Sequence, residues 1–156
     1  TQVLSFLLGP FTKLTNILVK YLRPCDSDLK DKDFFEKSTI LTMYVIGGAI
    51  CALGNNDEIS RLSASYIVDG EISMGISDKV YVTVIAKDHN LTLKKEKSQN
   101  PRAIMEFKTI ELANSLFNGT ASTMAELCAG NIYLAGMCNM IDNISRILDR
   151  VGLYLA

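Results

Sequence analysis

The stretch Asn100–Gly136, NPRAIMEFKTIELANSLFNGTASTMAELCAGNIYLAG, constrains the fold most, because it compresses a strand, two short helices and a second strand into one continuous span. Ala103, Met105 and Phe107 alternate with Ile104, Glu106 and Lys108, the two-residue period of a strand with one apolar face. Pro101 marks its start. Thr109 stands at an N-cap position ahead of Ile110, Ala113, Leu116 and Phe117 at helical spacing, and Gly119 is placed to end that helix in the left-handed conformation. Thr123 and Glu126 have capping-box spacing, Met124, Leu127 and Cys128 supply an apolar stripe, and Gly130 stops the second helix. Ile132 to Ala135 reads as the returning strand. Two short helices put little mass over a sheet face, so a gap lined by Met, Leu, Ile and Phe is expected between them.

The order of these parts resembles the signature region of the sterol carrier protein two family of lipid-binding domains, in its bacterial form. Phe107, Lys108, Gly119, Gly130, Ile132, Leu134 and Gly136 fall where that pattern wants them, and the resemblance covers about Asp69 to Ala156. It implies carriage of a sterol, fatty acyl chain or phospholipid in an apolar cavity, with the C-terminal segment closing over the ligand tunnel.

At 156 residues the chain is long enough for one domain that buries about two thirds of its unfolded surface. Apolar residues make up 48%, more than one core of this size needs, and the surplus points to a ligand cavity, a dimer face or a membrane contact. Net charge is −1, from 16 Lys and Arg against 17 Asp and Glu, so no basic field exists to attract nucleic acid. Cys25, Cys51, Cys128 and Cys138 form no C-x-x-C pair and read as free buried thiols of a reducing, cytoplasmic setting. The chain opens at Thr1 without a Met, as a trimmed chain would, and ends Tyr154-Leu155-Ala156, which is no peroxisomal address.

From the N-terminus, Val3, Leu4, Leu7, Leu8, Phe11, Leu14, Leu18, Tyr21 and Leu22 recur at three and four residues. The stripe predicts a helix that Pro10 opens at its first turn and Pro24 ends, either packed on the core or seeking a surface or partner. Asp26, Asp28, Asp31 and Asp33 suggest a calcium loop, but the positions that require Gly and Glu hold Asp31 and Lys37, so a solvated linker is expected. Ile40 to Leu53 is apolar apart from Thr42; 14 residues make about 21 Å of helix, short of the ~30 Å hydrocarbon layer, which predicts a buried helix. Its Gly47-Gly48 pair suits close approach of another backbone.

Beyond Ile59 the period becomes two. Ile72, Met74 and Ile76, a Ser77-Asp78 turn, then Val80, Val82 and Val84 make a hairpin; Asp88-His89-Asn90 turns into a strand with Leu91 and Leu93. Lys94 to Lys97 reads as a strand end and an exposed loop. The last apolar series, Met140, Ile141, Ile144, Ile147, Leu148, Val151, Tyr154 and Leu155, predicts a long amphipathic helix capped by Asn139, with Asp142 and Arg146 paired on its outer face. By the resemblance, this helix is the lid. The expected fold is α/β of the α+β type: a five-stranded, mostly antiparallel sheet with helices on one face, two N-terminal helices and a long C-terminal helix. Residues 1–57 are expected as a helical extension packed on the core and residues 58–156 as the lipid-binding domain.

No catalytic constellation is legible. His89 is the sole histidine and falls in a turn; there is no glycine-rich phosphate loop, no metal-ligand spacing, no nucleophile elbow and no cofactor motif. The first expectation is therefore a non-catalytic carrier whose wall comprises Met105, Phe107, Leu116, Phe117, Met124, Leu127, Ile132, Leu134, Met140, Ile141, Ile144 and Leu148, each of which suits an ordinary core equally. Its partners would be a lipid or other hydrophobic small molecule, a transient membrane surface and a second copy. The alternative is a homodimeric interaction or structural module whose groove is filled by its own N-terminal helix.

Overall fold

The computed structural model describes residues 2–25 and 27–155, with side chains described for 12–25, 27–151 and 153–154. The chain separates into two compact units, 1–42 and 43–156, so residues 43–57, read from the sequence as part of the extension, pack within the second unit.

The first unit holds α1 (Gln2–Leu22), a single 3₁₀ turn at Asp28–Lys30, and the start of α2 (Lys32–Asn56). Pro10 does not open α1. It lies inside the helix, where it removes one backbone donor while the turns on both sides continue. The side chains of Val3, Leu4, Leu7, Leu8 and Phe11, and the whole of Asp26, lie outside the described residues. The expected linker is shorter than its charge suggested, because Asp31 starts α2. Its Oδ1 accepts from the Asp33 N–H at 3.0 Å, and Lys37 reaches back to Asp33 at 2.6 Å, one turn on. Tyr21 stacks on Phe34 at 4.7 Å between centroids, and Ser38 Oγ donates to the Tyr21 carbonyl at 2.5 Å, which ties α1 to α2.

At 25 residues, about 38 Å, α2 is long and apolar enough to cross a membrane, so the length argument for a buried helix fails. Its last half is nevertheless core: Met43, Ile50 and Cys51 are buried. A Cβ on Gly47 would meet Val82 Cγ1 at 2.6 Å, and one on Gly54 would meet Leu91 Cδ1 at 2.5 Å. The close approach is thus to side chains, at Gly47 and Gly54, and Gly48 faces open space. Of the cysteines, only Cys51 is buried; Cys25, Cys128 and Cys138 are exposed, contrary to the expectation of four buried thiols.

The sheet runs β3-β2-β1-β4-β5, with β1 (Gly70–Ile76), β2 (Val80–Lys87), β3 (Asn90–Lys94), β4 (Ala103–Phe107) and β5 (Ile132–Gly136). Only β1 and β4 pair in parallel. The two expected hairpin turns form with Ser77, Asp78, Asp88 and His89 all at positive φ, the handedness that matches strand twist. Register puts Ile72, Met74, Ile76, Val80, Val82, Val84 and Leu91 on the helix-side face, each at most 4% exposed.

One element escaped the sequence reading. α3 (Glu58–Ser65) is capped by Asp57, whose Oδ2 accepts from the Ser60 N–H at 2.8 Å. The helix buries only Ser60 and Ala64, and its larger apolar residues Ile59 and Leu62 are exposed, so its inward face carries no apolar stripe. α6 (Cys138–Leu155) starts before the expected cap: Met140 N–H donates to the Met137 carbonyl, and Asn139 instead donates from its side chain to the Tyr66 carbonyl at 3.2 Å. The Asp142–Arg146 pair forms at 3.0 Å as expected.

Asp57 clasps α3 to α6. Besides Ser60 it accepts from Tyr154 Oη at 2.7 Å and Arg150 Nη2 at 3.3 Å. The Tyr154 hydroxyl first, then the Ser60 donors, hold its carboxyl well below the usual carboxylate range. A carboxylate with a depressed folded pKa contributes stability that is present above its unfolded value, about 3.9, and lost as pH falls through the folded one. Thermal unfolding followed from neutral to acid pH is therefore expected to show the native chain losing stability below about pH 4. Asp57→Asn should be less stable already at neutral pH, with a shallower acid fall. Identical pH profiles for the two would show that other carboxylates set the acid limit.

Candidate functional site

β4 and β5 carry the site. Their ladder sets Phe107 opposite Ile132 and Met105 opposite Leu134, all on the helix-side face. Phe107 and Ile132, at one end, are 8% and 5% exposed, and Ala103, at the other, is fully buried. Met105 and Leu134 between them are only half-buried. Side chains on the inward face of a sheet normally lose nearly all contact with water. Here the middle of the ladder lacks full cover.

The cover is thin because the helices over it are short. α4 (Ile110–Phe117) starts where Thr109 Oγ1 accepts from the Leu112 N–H at 3.1 Å, as expected. It docks by Ile110, Ala113 and an edge-to-face contact of Phe117 on Phe107 at 5.8 Å, while Leu116 and Phe117 stay half-buried. Gly119, at φ +68°, ends it. α5 (Thr123–Cys128) is capped by Ser122, one residue before the expected Thr123. Glu126 makes no capping box; its Oε2 accepts from Asn131 Nδ2 at 2.7 Å and stitches the helix to the approach of β5. Among its described residues α5 buries none, and Gly130 at φ +73° ends it.

This arrangement of strands and helices has counterparts among solved structures. The chain is similar to the sterol carrier protein domain 2 of Helicoverpa armigera, at 11% identity over 70% of this chain and 86% of that one, with a TM-score of 0.52. A ubiquinone synthesis protein, UbiJ-SCP2, matches at 10% identity over 71% of this chain and 93% of that one, with a TM-score of 0.51. A crystal structure of sterol carrier protein 2 matches at 14% identity over 67% and 92%, also at 0.51. The chain has the sterol carrier protein 2 fold. The sequence matches no protein-family model and no curated relative.

On that sterol carrier frame the twelve expected wall residues fall into three groups. Phe107, Ile132, Met140, Ile141 and Ile144 are buried; Met105, Leu116, Phe117, Leu127, Leu134 and Leu148 are half-buried; Met124 is 68% exposed. The half-buried group comes from β4, β5, α4, α5 and α6, the elements that surround the under-covered ladder. The two cavities described lie elsewhere. One, about 190 Å³, is lined by Glu71, Thr83 and the segment 94–99; the other, about 650 Å³, lies between α3 and the Asp88–His89 turn.

The outer sheet face is more ordered than the expected exposed loop after Lys94. Ser98 Oγ bonds the Glu71 carboxylate, Thr83 Oγ1 donates to the Glu96 carbonyl at 2.7 Å, and Lys97 Nζ donates to Tyr81 Oη at 2.8 Å. Burial and the Asp78 carboxylate push the Tyr81 phenol up. The signal was available in the polar alternates Glu71, Ser73, Thr83 and Glu106, which need a polar cover. Burial raises the Cys51 thiol to about 11, which keeps it protonated and unreactive at neutral pH. His89 is exposed, and among the described residues no group of His, Cys, Asp and Glu is placed to hold a metal ion.

Gly136 locks the far end of the site. It sits at φ +84°, and a Cβ there would lie 2.1 Å from the Arg102 carbonyl oxygen, a backbone atom that cannot step aside. Gly119 is also left-handed, but a Cβ there meets nothing within 4 Å. Gly119→Ala is expected to cost about 1 kcal/mol in chemical denaturation, the conformational penalty alone. Gly136→Ala should cost clearly more, about 2–4 kcal/mol, by adding the clash and loosening β5 from β4. Equal losses would show that the β4–β5 junction yields.

Proposed function

We propose that the protein binds and carries one hydrophobic ligand, a fatty acyl chain, a sterol or a phospholipid, without changing it chemically. The ligand lies against the helix-side face of β4 and β5, with α4 and α5 as a thin cover and α6 as the lid. The half-buried Met105–Leu134 pair carries this reading, since an inward apolar pair left part-wet gains by taking up apolar cover. The fold shared with sterol carrier domains supports it. A cytoplasmic setting fits three exposed free thiols.

Burying about ten methylenes at ~0.8 kcal/mol each gives roughly 8 kcal/mol, within the 4–15 kcal/mol that association costs. Useful affinity therefore needs a long chain or a sterol. One methylene more or less changes binding by only ~1–3 kcal/mol, so the carrier would discriminate poorly by length. The competing reading, a homodimeric interaction module, draws on exposed Ile59 and Leu62 of α3 and Tyr66 just after it.

Delipidated protein titrated with a fluorescent fatty acid is expected to show saturable one-to-one binding at micromolar protein. Leu134→Gln should weaken it at least about tenfold, since a buried polar group without a partner costs ~1–3 kcal/mol. Tyr133→Ser, on the opposite face of the same strand, should leave it unchanged. No saturable binding, or equal loss in both variants, rejects the site; a ligand-indifferent dimer in solution would favour the module.

A further inference from the structure

We propose that the cavity on the polar face of the sheet binds a small zwitterion, its ammonium group inward on Glu71 and its carboxylate outward toward Lys94. The cavity measures about 190 Å³, and every residue that lines it is polar. A dry cavity of about 150 Å³ accepts benzene, so this one has room for a molecule of about five to eight non-hydrogen atoms, and its walls suit a charged one rather than an acyl chain. Thr83 Oγ1 donates to the Glu96 carbonyl at 2.7 Å. Ser98 Oγ donates to Glu71 Oε2 and accepts from the Asn100 N–H at 3.2 Å, so the segment after β3 is tied to the sheet at two points. Thr83 and Ser98 are 1% and 9% exposed. Walls fixed before a ligand arrives lower the ordering cost of binding.

The charges are divided by depth. Glu71, half-buried, is the carboxylate at the base. Ser98 occupies only one of its two oxygens, and among the described residues no Lys or Arg pairs with it. At the exposed rim two lysines, Lys94 and Lys97, stand against one glutamate, Glu96. Lys97 is engaged by Tyr81 Oη at 2.8 Å and Glu106 at 3.5 Å, whereas Lys94 has only Glu96, at 3.9 Å. A part-buried carboxylate without a cation draws an ammonium group, and a rim with one positive charge to spare opposes a second cation and accepts a carboxylate. One zwitterion satisfies both ends. A separate observation on the same face points to a polar occupant. Ser73, two residues on from Glu71 in β1 and opposite Thr83 in the ladder, is 2% exposed, and its Oγ has no partner among the described residues. Buried hydroxyls are normally hydrogen-bonded, and an occupant beside Glu71 and Thr83 supplies that bond directly or through a water. The site stands independently of the carriage reading, since the two use opposite faces of the sheet.

Amide NMR spectra of the full chain, titrated with glycine, β-alanine and γ-aminobutyrate, test it, since these differ in the spacing of their two charges. Acetate and ethylammonium serve as the separate halves. At least one zwitterion is expected to give saturable shifts centred on Glu71, Thr83 and residues 94–99, and to bind at least about tenfold more tightly than either half. Glu71→Gln should weaken that binding at least about tenfold, the loss expected for a charged hydrogen bond. Lys94→Gln, at an exposed position where the fold is not at stake, should weaken the zwitterion about 3-fold and leave ethylammonium unchanged. Shifts that fail to saturate with all three zwitterions overturn the proposal, as does ethylammonium or acetate binding as tightly as the best of them. Native affinity in either variant overturns it too.

Discussion

Helical cover is shared unevenly over one face of a five-stranded sheet, and the properties of the second unit follow from that imbalance. The last half of α2 lies on β2 and β3 through Gly47 and Gly54, close enough that added methyl groups would collide with Val82 and Leu91. That intimacy spends helix on the β3-β2-β1 side, where seven apolar side chains are almost fully removed from water. β4 and β5 receive one eight-residue helix and one six-residue helix. A helix of six residues presents less than two turns and cannot lay a continuous apolar stripe across a strand pair. The wetted Met105–Leu134 pair is the direct consequence.

The same imbalance explains why so much of the site could be read from residues alone. Strand period, the Thr109 cap and the left-handed Gly119 and Gly130 are local features, decided within a few residues of each other, and all of them formed as expected. The hairpin turns at Ser77-Asp78 and Asp88-His89 belong to the same class. What stayed hidden depends on partners distant in sequence. α3 is held by a carboxylate that reaches Arg150 and Tyr154, and the face it buries carries only Ser60 and Ala64. Asp31 looked like linker because its role as a cap depends on the conformation of the turn that precedes it. Met124 looked like wall because spacing cannot tell a short helix that lies flat on a sheet from one that stands off it.

The Asp57 clasp bears on the site through α6. That helix packs on α3 along its length and contributes buried Met140, Ile141 and Ile144 beside β4. Its C-terminal turn is tied to the start of α3 by one carboxylate that serves both as helix cap and as ion-pair partner. Concentrating both duties in one side chain adds a polar tie to the C-terminal half of α6, where Ile147 and Val151 are buried as deeply as Met140 and Ile144 are in its N-terminal half.

The apolar ladder of β4 and β5 is also an unfavourable place for reactive polar groups. A group that must shift its proton or attack a bond needs a charged or hydrogen-bonding partner held nearby. Each such partner placed against β4 and β5 would cost ~1–3 kcal/mol when left unpaired among apolar side chains. The polar residues of this sheet are instead gathered on the opposite face, where Ser98 bonds Glu71, Lys97 pairs with Glu106 and Thr83 donates to the Glu96 carbonyl in the loop after β3, while the buried Ser73 Oγ has no partner among the described residues. The alternation of a strand makes that separation automatic, since neighbouring residues point to opposite faces. One sheet thus keeps an apolar helix-side face and a hydrogen-bonded polar face, with Glu106 and Met105 adjacent in sequence and on opposite sides.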